Sequence, residues 1–245
     1  MLIEFCLPAH NEEKIIKNNI LKLLNYCDKK KFDFDWRIVV INNGSTDNSE
    51  KICREQKFLF HTKKKFKIEN IKIAGKGNAI KKYCLKSDAD IIVYMDIDLA
   101  VSLNNIPRLI DCILKNNFDL AIGSRLLANS KTERKFSRSI TSKAYNILSK
   151  IILRHNISDL QCGFKAIKTN KLKSLIPYLK NNKWFFDTEL IMFAKKFNYK
   201  IKEIPVEWKE SRYDTRKSKI NIIRDSSSFF INLIKLKFKL SKLEK

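Results

Sequence analysis

The chain has 245 residues, 44% of them hydrophobic, enough to bury one substantial core and within the range of a single α/β domain. Fifty Lys plus Arg against 26 Asp plus Glu give a formal charge of +24, a field that attracts polyanions such as nucleic acid, anionic lipid or a phosphorylated substrate. No apolar run approaches the roughly 20 residues of a spanning helix, and the N-terminal stretch lacks the pattern of an export signal, so a cytoplasmic protein is expected.

Leu2 to Leu7 form a short apolar run ended by Pro8, which reads as strand then loop. From Asn11 the positions Ile15, Ile16, Ile20, Leu23 and Leu24 keep helical period, with Glu12 and Glu13 at the positive end. A strand over Arg37 to Ile41 runs into the turn-forming cluster Asn42 to Asp47, where Ser45 or Thr46 is expected to cap a helix reaching about Gln56. A weak strand is expected at Ile71 to Ile73. The segment Gly75 to Asn78 then opens a helix over Ala79 to Leu85, and the strand Ile91 to Met95 delivers Asp96 and Asp98. A helix over Ile106 to Lys115 and a strand over Leu120 to Gly123 complete the alternation of a mostly parallel, doubly wound sheet. Ligands in such sheets bind at the carboxyl ends of strands, where the polar clusters 8–12, 42–47 and 96–98 all fall.

Asp96-Ile97-Asp98 is the sharpest local signal, because alternate residues at a strand end can bring two carboxylates to one cation. Magnesium or manganese (Mg2+ or Mn2+) held this way keeps positions for substrate phosphates and neutralises a departing diphosphate. Arg125 follows another strand end, and Arg138 opens a helix with Ile140, Ala144, Ile147, Leu148 and Ile151 on one side and Arg138, Ser142 and Asn146 on another. Guanidinium groups fit phosphate oxygens with two parallel hydrogen bonds, so these arginines are candidates for holding an acceptor phosphate. Asp159, Cys162, Lys165, Asp187 and Glu189 lie in two further polar-aromatic stretches. The six cysteines are widely scattered and read as reduced thiols, mostly in the core, while His61 and His155 read as surface residues.

The set PAHNEE, VVINNGSTD, GKGNA, YMDIDLA, IGSRL, DLQCGFKAI, WFFDTELI and EIPVEW, in this order, resembles the polyprenyl-phosphate branch of the family-2 glycosyltransferases. The likeness is strongest to the dolichyl-phosphate glucosyltransferase group, with the mannose synthases as near relatives, and runs from Leu2 to Trp208. It implies a GT-A fold, an inverting mechanism, a divalent metal, and transfer of a hexose from a nucleotide-sugar to a polyprenyl phosphate. By the same resemblance, Pro8, Ala9, Asn11, Glu12, Asn43, Lys76 and Gly77 surround the donor, and Asp96 and Asp98 hold the metal and sugar diphosphate. Arg125, Arg138 and Ser142 hold the lipid phosphate, with Asp187 and Glu189 at the acceptor side or bracing its loops. Asn42 and Asn43 replace an acidic residue common in relatives, Ala100 favours the glucosyltransferase side, and His10 replaces the commoner Tyr. A UDP-glucose-type donor is favoured, with GDP-mannose as the alternative.

Basic residues concentrate in 125–154, with eight basic and one acidic, and in 209–245, with eleven and four. In the second segment Ile222, Phe229, Leu233, Leu236 and Leu240 follow helical spacing while Lys235, Lys239 and Lys242 fall elsewhere, although Ile234 to Leu240 also alternates as a strand would. The expected organisation is a transferase domain over 1–220 and a basic amphipathic helix over 221–245 on an anionic membrane surface, peripheral on its cytoplasmic face. The competing readings are a family-2 transferase acting on a glycan hydroxyl and, more distantly, a nucleic-acid-binding protein. No nucleic-acid partner is expected.

Overall fold

A computed structural model describes residues 1–59, 65–133, 136–209 and 222–244. Its centre is a seven-stranded sheet of β1 (Leu2–Ala9), β2 (Asp35–Asn43), β3 (Phe66–Ile71), β4 (Ile91–Met95), β5 (Leu120–Ser124), β7 (Phe164–Lys168) and β8 (Ile201–Pro205), in the order β3-β2-β1-β4-β7-β5-β8. A short ribbon pairs β6 (Lys131–Glu133) with β9 (Glu207–Lys209) in parallel. All pairings in the large sheet are parallel except those of β7, which runs antiparallel to both β4 and β5. Because β7 is reversed, its beginning lies beside the end of β4, with Met95 opposite Phe164. The carboxyl ends of β1, β2, β4 and β5 and the amino end of β7 therefore share one edge.

Side chains alternate across the strands with period two and feed two cores. Ile3, Phe5 and Leu7 of β1 join Ile38 and Val40 of β2 and Ile91 and Val93 of β4 under α1 (Ile16–Lys30) and α4 (Ile106–Leu114). On the other face Cys6, Val39, Ile41, Ile92 and Tyr94 pack with α3 (Lys76–Lys86), α6 (Thr169–Leu175) and α7 (Phe186–Lys196). The remaining helices are α2 (Ser49–Leu59), α5 (Phe136–Leu153) and α8 (Ile222–Ser241).

Several sequence expectations shift. The third strand lies at Phe66–Ile71 rather than 71–73, because Ile38 to Asn43 pair with that stretch. The helix after β2 starts at Ser49, whose N–H is accepted by Asp47 Oδ1 at 3.0 Å, and not at a Ser45 or Thr46 cap. Ser45 Oγ instead accepts the Asn11 N–H at 3.0 Å and the Thr46 N–H goes to Asn11 Oδ1 at 2.7 Å, tying the β1 and β2 loops together. His155 is buried, not on the surface, and His61 lies outside the described residues. All six cysteines are free and buried.

The final helix forms, and its stripe Phe229, Leu233, Leu236 and Leu240 packs onto the second core, with Leu233 and Leu236 buried. That stripe is therefore not a lipid-facing surface. The side chain of Ile222 lies outside the described residues. No helix among the described residues is long and apolar enough to cross a membrane.

Candidate active site

The shared edge of the sheet gathers the charged residues. β4 ends on Met95, so Asp96 follows Tyr94 on the same face and points towards α3. Lys76, at the start of α3, places Nζ 3.0 Å from Asp96 Oδ1 and 3.2 Å from Asp187 Oδ2. Asp187, in the first turn of α7, is reached on its other oxygen by Lys165 Nζ at 2.6 Å and by the Tyr94 hydroxyl at 2.8 Å. Lys165 is fully buried and also donates to the Cys162 carbonyl at 2.5 Å. The result is a chain of alternating charges, Lys165, Asp187, Lys76 and Asp96, running from the core to the open edge.

Charge alternation is what makes this arrangement tolerable, since a buried ion without a partner is costly. Burial alone would raise the Asp187 carboxyl, but Lys165 and Lys76 beside it hold it below the usual carboxylate range. Burial would likewise lower Lys76, yet Asp187 and Asp96 hold its ammonium protonated above the usual lysine range. Asp96, at the end of the chain, keeps a third of its side chain exposed.

Two concavities meet at Asp96. The larger, a cleft of about 210 Å3, is lined by Pro8, His10, Glu12, Asn43, Lys76, Asp96 and Trp184 among others. Asn43 Oδ1 accepts the Gly75 N–H at 2.9 Å, and its carbonyl lies 2.9 Å from His10 Nδ1, so one residue fixes both walls. The smaller is lined by Asp96, Asp98, Ala100, Gly163 and Trp208. Trp208 bridges to Val101, and the Lys209 N–H donates to the Ala100 carbonyl at 2.8 Å, so β9 anchors the loop that carries both aspartates.

Of the residues expected around a donor, Pro8, Glu12, Asn43, Lys76 and Asp96 come together in the cleft. Ala9 is buried in the core, Asn11 is spent on the β2 loop, and Gly77 lies against α7, where a Cβ would come within 2.5 Å of Phe186 Cβ. These three shape the cleft without lining it. Of the residues expected at the acceptor, Arg125 is paired with buried Asp159, Nε to Oδ2 at 2.7 Å and Nη2 to Oδ1 at 2.9 Å. Burial would lower the Arg125 guanidinium, but Asp159 holds it firmly charged. Ser142 is half-buried on α5, next to Asn146, whose amide donates to the Ser142 carbonyl at 2.8 Å, and the Arg138 side chain lies outside the described residues. Glu189 is buried and accepts the Asn181 N–H at 2.7 Å, and burial raises its carboxyl. It braces the loop before α7. Cys162 is buried, and that burial pushes its thiol up to about 12.

Sequence reasoning gave no role to Tyr94, Lys165, Gly163, Trp184 or Trp208. Gly163 is the instructive case: its carbonyl accepts the Asp96 N–H at 3.1 Å, and a Cβ there would lie 2.1 Å from Asp96 Oδ2. The carboxylate packs flat on a backbone that only glycine leaves clear. A glycine placed just before the alternating stretch Phe164–Lys168 was the available signal.

Comparison with known proteins identifies the family of the chain. The family model described as Glycosyl transferase family 2 matches residues 4–176. Glycosyltransferase AglD of Haloferax volcanii is 27% identical over 227 residues, covering 91% of this chain and 35% of its own. A dolichyl-phosphate beta-glucosyltransferase of Trichomonas vaginalis is 32% identical over 85% of this chain and 66% of its own, and that of Saccharomyces cerevisiae is 30% identical over 86% and 67%. The chain thus spans between about a third and two thirds of the length of these relatives. Glucosyl-3-phosphoglycerate synthase from Mycobacterium tuberculosis, solved with Mn2+, UDP-glucose and phosphoglyceric acid, superposes with a TM-score of 0.67 at 17% identity, over 98% of this chain and 79% of that one. The expected α/β sheet is thereby matched to a GT-A fold, and the chain belongs to glycosyl transferase family 2.

Proposed function

We propose that this chain transfers a hexose from a nucleotide-sugar, of UDP-glucose type rather than GDP-mannose type, to a polyprenyl phosphate of the dolichol kind at an anionic membrane surface on its cytoplasmic side. The names of the relatives support the acceptor class, and the cleft joined to the aspartate loop supports the donor. In this reading Pro8, Glu12, Asn43 and Lys76 face the donor, with Ala9, Asn11 and Gly77 holding the shape of its site.

The residues fit a divalent cation, Mg2+ or Mn2+. Asp96 and Asp98 line one small pocket, both offer the hard oxygens such ions require, and Gly163 keeps the space behind Asp96 clear. When bound, the ion supplies charge neutralisation for the departing diphosphate. Lys76, held charged between Asp96 and Asp187, adds a fixed positive charge at the same place, pre-aimed before the donor arrives.

The observation that carries the acceptor assignment is the state of the carboxylates behind the site. A sugar hydroxyl acceptor needs a base within hydrogen-bond reach. Asp187 is committed to two lysines and a tyrosine that hold it charged, and Glu189, which accepts a backbone N–H before α7, lines neither concavity, so neither is placed to take a proton from a hydroxyl there. A phosphomonoester needs no base, because with a second pKa of about 6 it is already anionic. What it needs is a cationic seat, for which Arg125, Arg138 and Ser142 are the candidates. Asp159 fixes Arg125 through two nitrogens, so any phosphate contact falls to the remaining edge of the guanidinium.

The test is an assay of polyprenyl phosphate against a panel of UDP- and GDP-sugars, with and without magnesium or manganese. Metal-dependent transfer from one donor class supports the reading; transfer only to a glycan hydroxyl selects the alternative acceptor.

A further inference from the structure

α5 is apolar on two sides, with Tyr145, Ile152 and Leu153 packed on the second core and a further stripe turned outward. Its polar residues Asn146 and Ser149 are buried, Asn146 Oδ1 accepting the Leu160 N–H at 3.2 Å and Ser149 Oγ donating to the Asn146 carbonyl at 2.9 Å. Its apolar residues Ile147 and Ile151, one turn apart, are 60% and 69% exposed. An amphipathic helix at a water-facing surface keeps its outer side polar. The neighbouring α8, joined to α5 through the edge-on ring pair Tyr145 and Phe229 at 5.2 Å, repeats the anomaly. Its inner stripe is consumed by the core, yet Phe230, Ile231 and Phe238, at helical spacing on the outer side, stay exposed at 47%, 52% and 64%.

The charges on these helices point to what covers the face. Lys143 and Lys150 on α5 and Lys235 and Lys237 on α8 are exposed, α5 carries no Asp or Glu at all, and α8 carries only Asp225. An apolar stripe flanked by lysines without compensating acids is the composition that inserts shallowly into an anionic interface. A second copy of the chain would bring like charges together.

We propose that the outer faces of α5 and α8, led by Ile147, Ile151, Phe230, Ile231 and Phe238, form the surface that docks on an anionic bilayer. This deepens the membrane-surface part of the function proposed above and rests on it, but it assigns a face opposite to the one the sequence pattern of the tail suggested. It also places α5, the helix that carries Arg138 and Ser142, against the lipid in which a polyprenyl phosphate resides.

Deleting α8 is no test, because Leu233 and Leu236 belong to the core. Point replacement is cleaner: the full chain carrying Ile151→Gln, Phe230→Ser and Phe238→Ser, and a second form with Lys235→Glu and Lys237→Glu, are sedimented with vesicles of phosphatidylcholine alone or mixed with phosphatidylglycerol. Thermal melts confirm that both forms stay folded. The apolar triple variant is expected to lose binding to mixed vesicles by at least about tenfold, and the lysine variant to lose the preference for phosphatidylglycerol. Unchanged partitioning of the triple variant overturns the proposal, as does a switch from dimer to monomer in analytical ultracentrifugation without loss of vesicle binding, which would make the face a self-association surface. The readout involves no sugar transfer, so failure of the transferase reading leaves this result standing, and failure of docking leaves transfer to a short water-soluble polyprenyl phosphate unaffected.

Discussion

Lys76 stands between two carboxylates of different exposure, 3.0 Å from Asp96 at the mouth of the cleft and 3.2 Å from Asp187 buried beneath it. The lysine therefore neutralises the same carboxylate that a divalent cation would use. Its replacement should move two affinities in opposite directions.

With Lys76→Met, Mn2+ binding measured by electron paramagnetic resonance without donor should tighten by about three- to tenfold, because a competing positive charge is gone. Binding of UDP by calorimetry should weaken by about tenfold or more if, as proposed, Lys76 makes a charge-assisted contact to the diphosphate. A fall in both would mean that Lys76 only holds the loop in place.

Asp187→Asn should be felt mainly as lost stability. It leaves Lys165, fully buried, and Lys76 facing a neutral amide, and an uncompensated buried charge costs about 3–5 kcal/mol. Urea unfolding followed by circular dichroism measures it; a change below about 1 kcal/mol would show that the two lysines find other partners.

Gly163→Ala tests the packing of Asp96 without touching a charge. The added methyl falls 2.1 Å from Asp96 Oδ2, so the partly exposed carboxylate must swing away. Mn2+ affinity should drop by about tenfold while unfolding free energy changes by less than about 1.5 kcal/mol. Wild-type affinity would show that Asp96 need not lie against residue 163 to bind metal.

His155 gives a pH signature. Burial first, then the positive charges of Lys195 and Lys150, push its imidazole down from 6.5 to about 4 in the folded chain. Above pH 6.5 both folded and unfolded forms are neutral and the stability is fully present. As pH falls from 6.5 to about 4 the unfolded chain takes a proton that the folded one refuses, so stability declines, by on the order of 3 kcal/mol. In His155→Phe the slope of unfolding free energy in this window should flatten. An unchanged slope would place the titration elsewhere.

The strand ends were legible because they are punctuated. Ile91–Met95 is a pure apolar run stopped by Asp96, and it forms as read. The third strand was misplaced because Phe66-Lys67-Ile68 and Ile71-Lys72-Ile73 alternate equally well, and only pairing with β2 selects the first. β7 escaped notice because Phe164–Lys168 interleaves two lysines, one of which is fully buried against Asp187. Local pattern assigns such a lysine to solvent, and only a partner 22 positions away makes its burial tolerable. His155 was misread for the same reason, since burial is a tertiary property. The apolar sides of α5 and α8 were visible, but which side meets the core was not.

The proposed reaction is most directly measured by 31P nuclear magnetic resonance of a short polyprenyl phosphate incubated with UDP-glucose and Mn2+. We expect the monoester resonance to convert into that of a phosphodiester with the wild-type chain, and conversion to fall by at least about a hundredfold with Asp98→Asn, which takes a charged oxygen from the proposed metal site. An unchanged monoester resonance while UDP-glucose is consumed onto a glycan hydroxyl, or full conversion by Asp98→Asn at limiting Mn2+, would contradict the assignment.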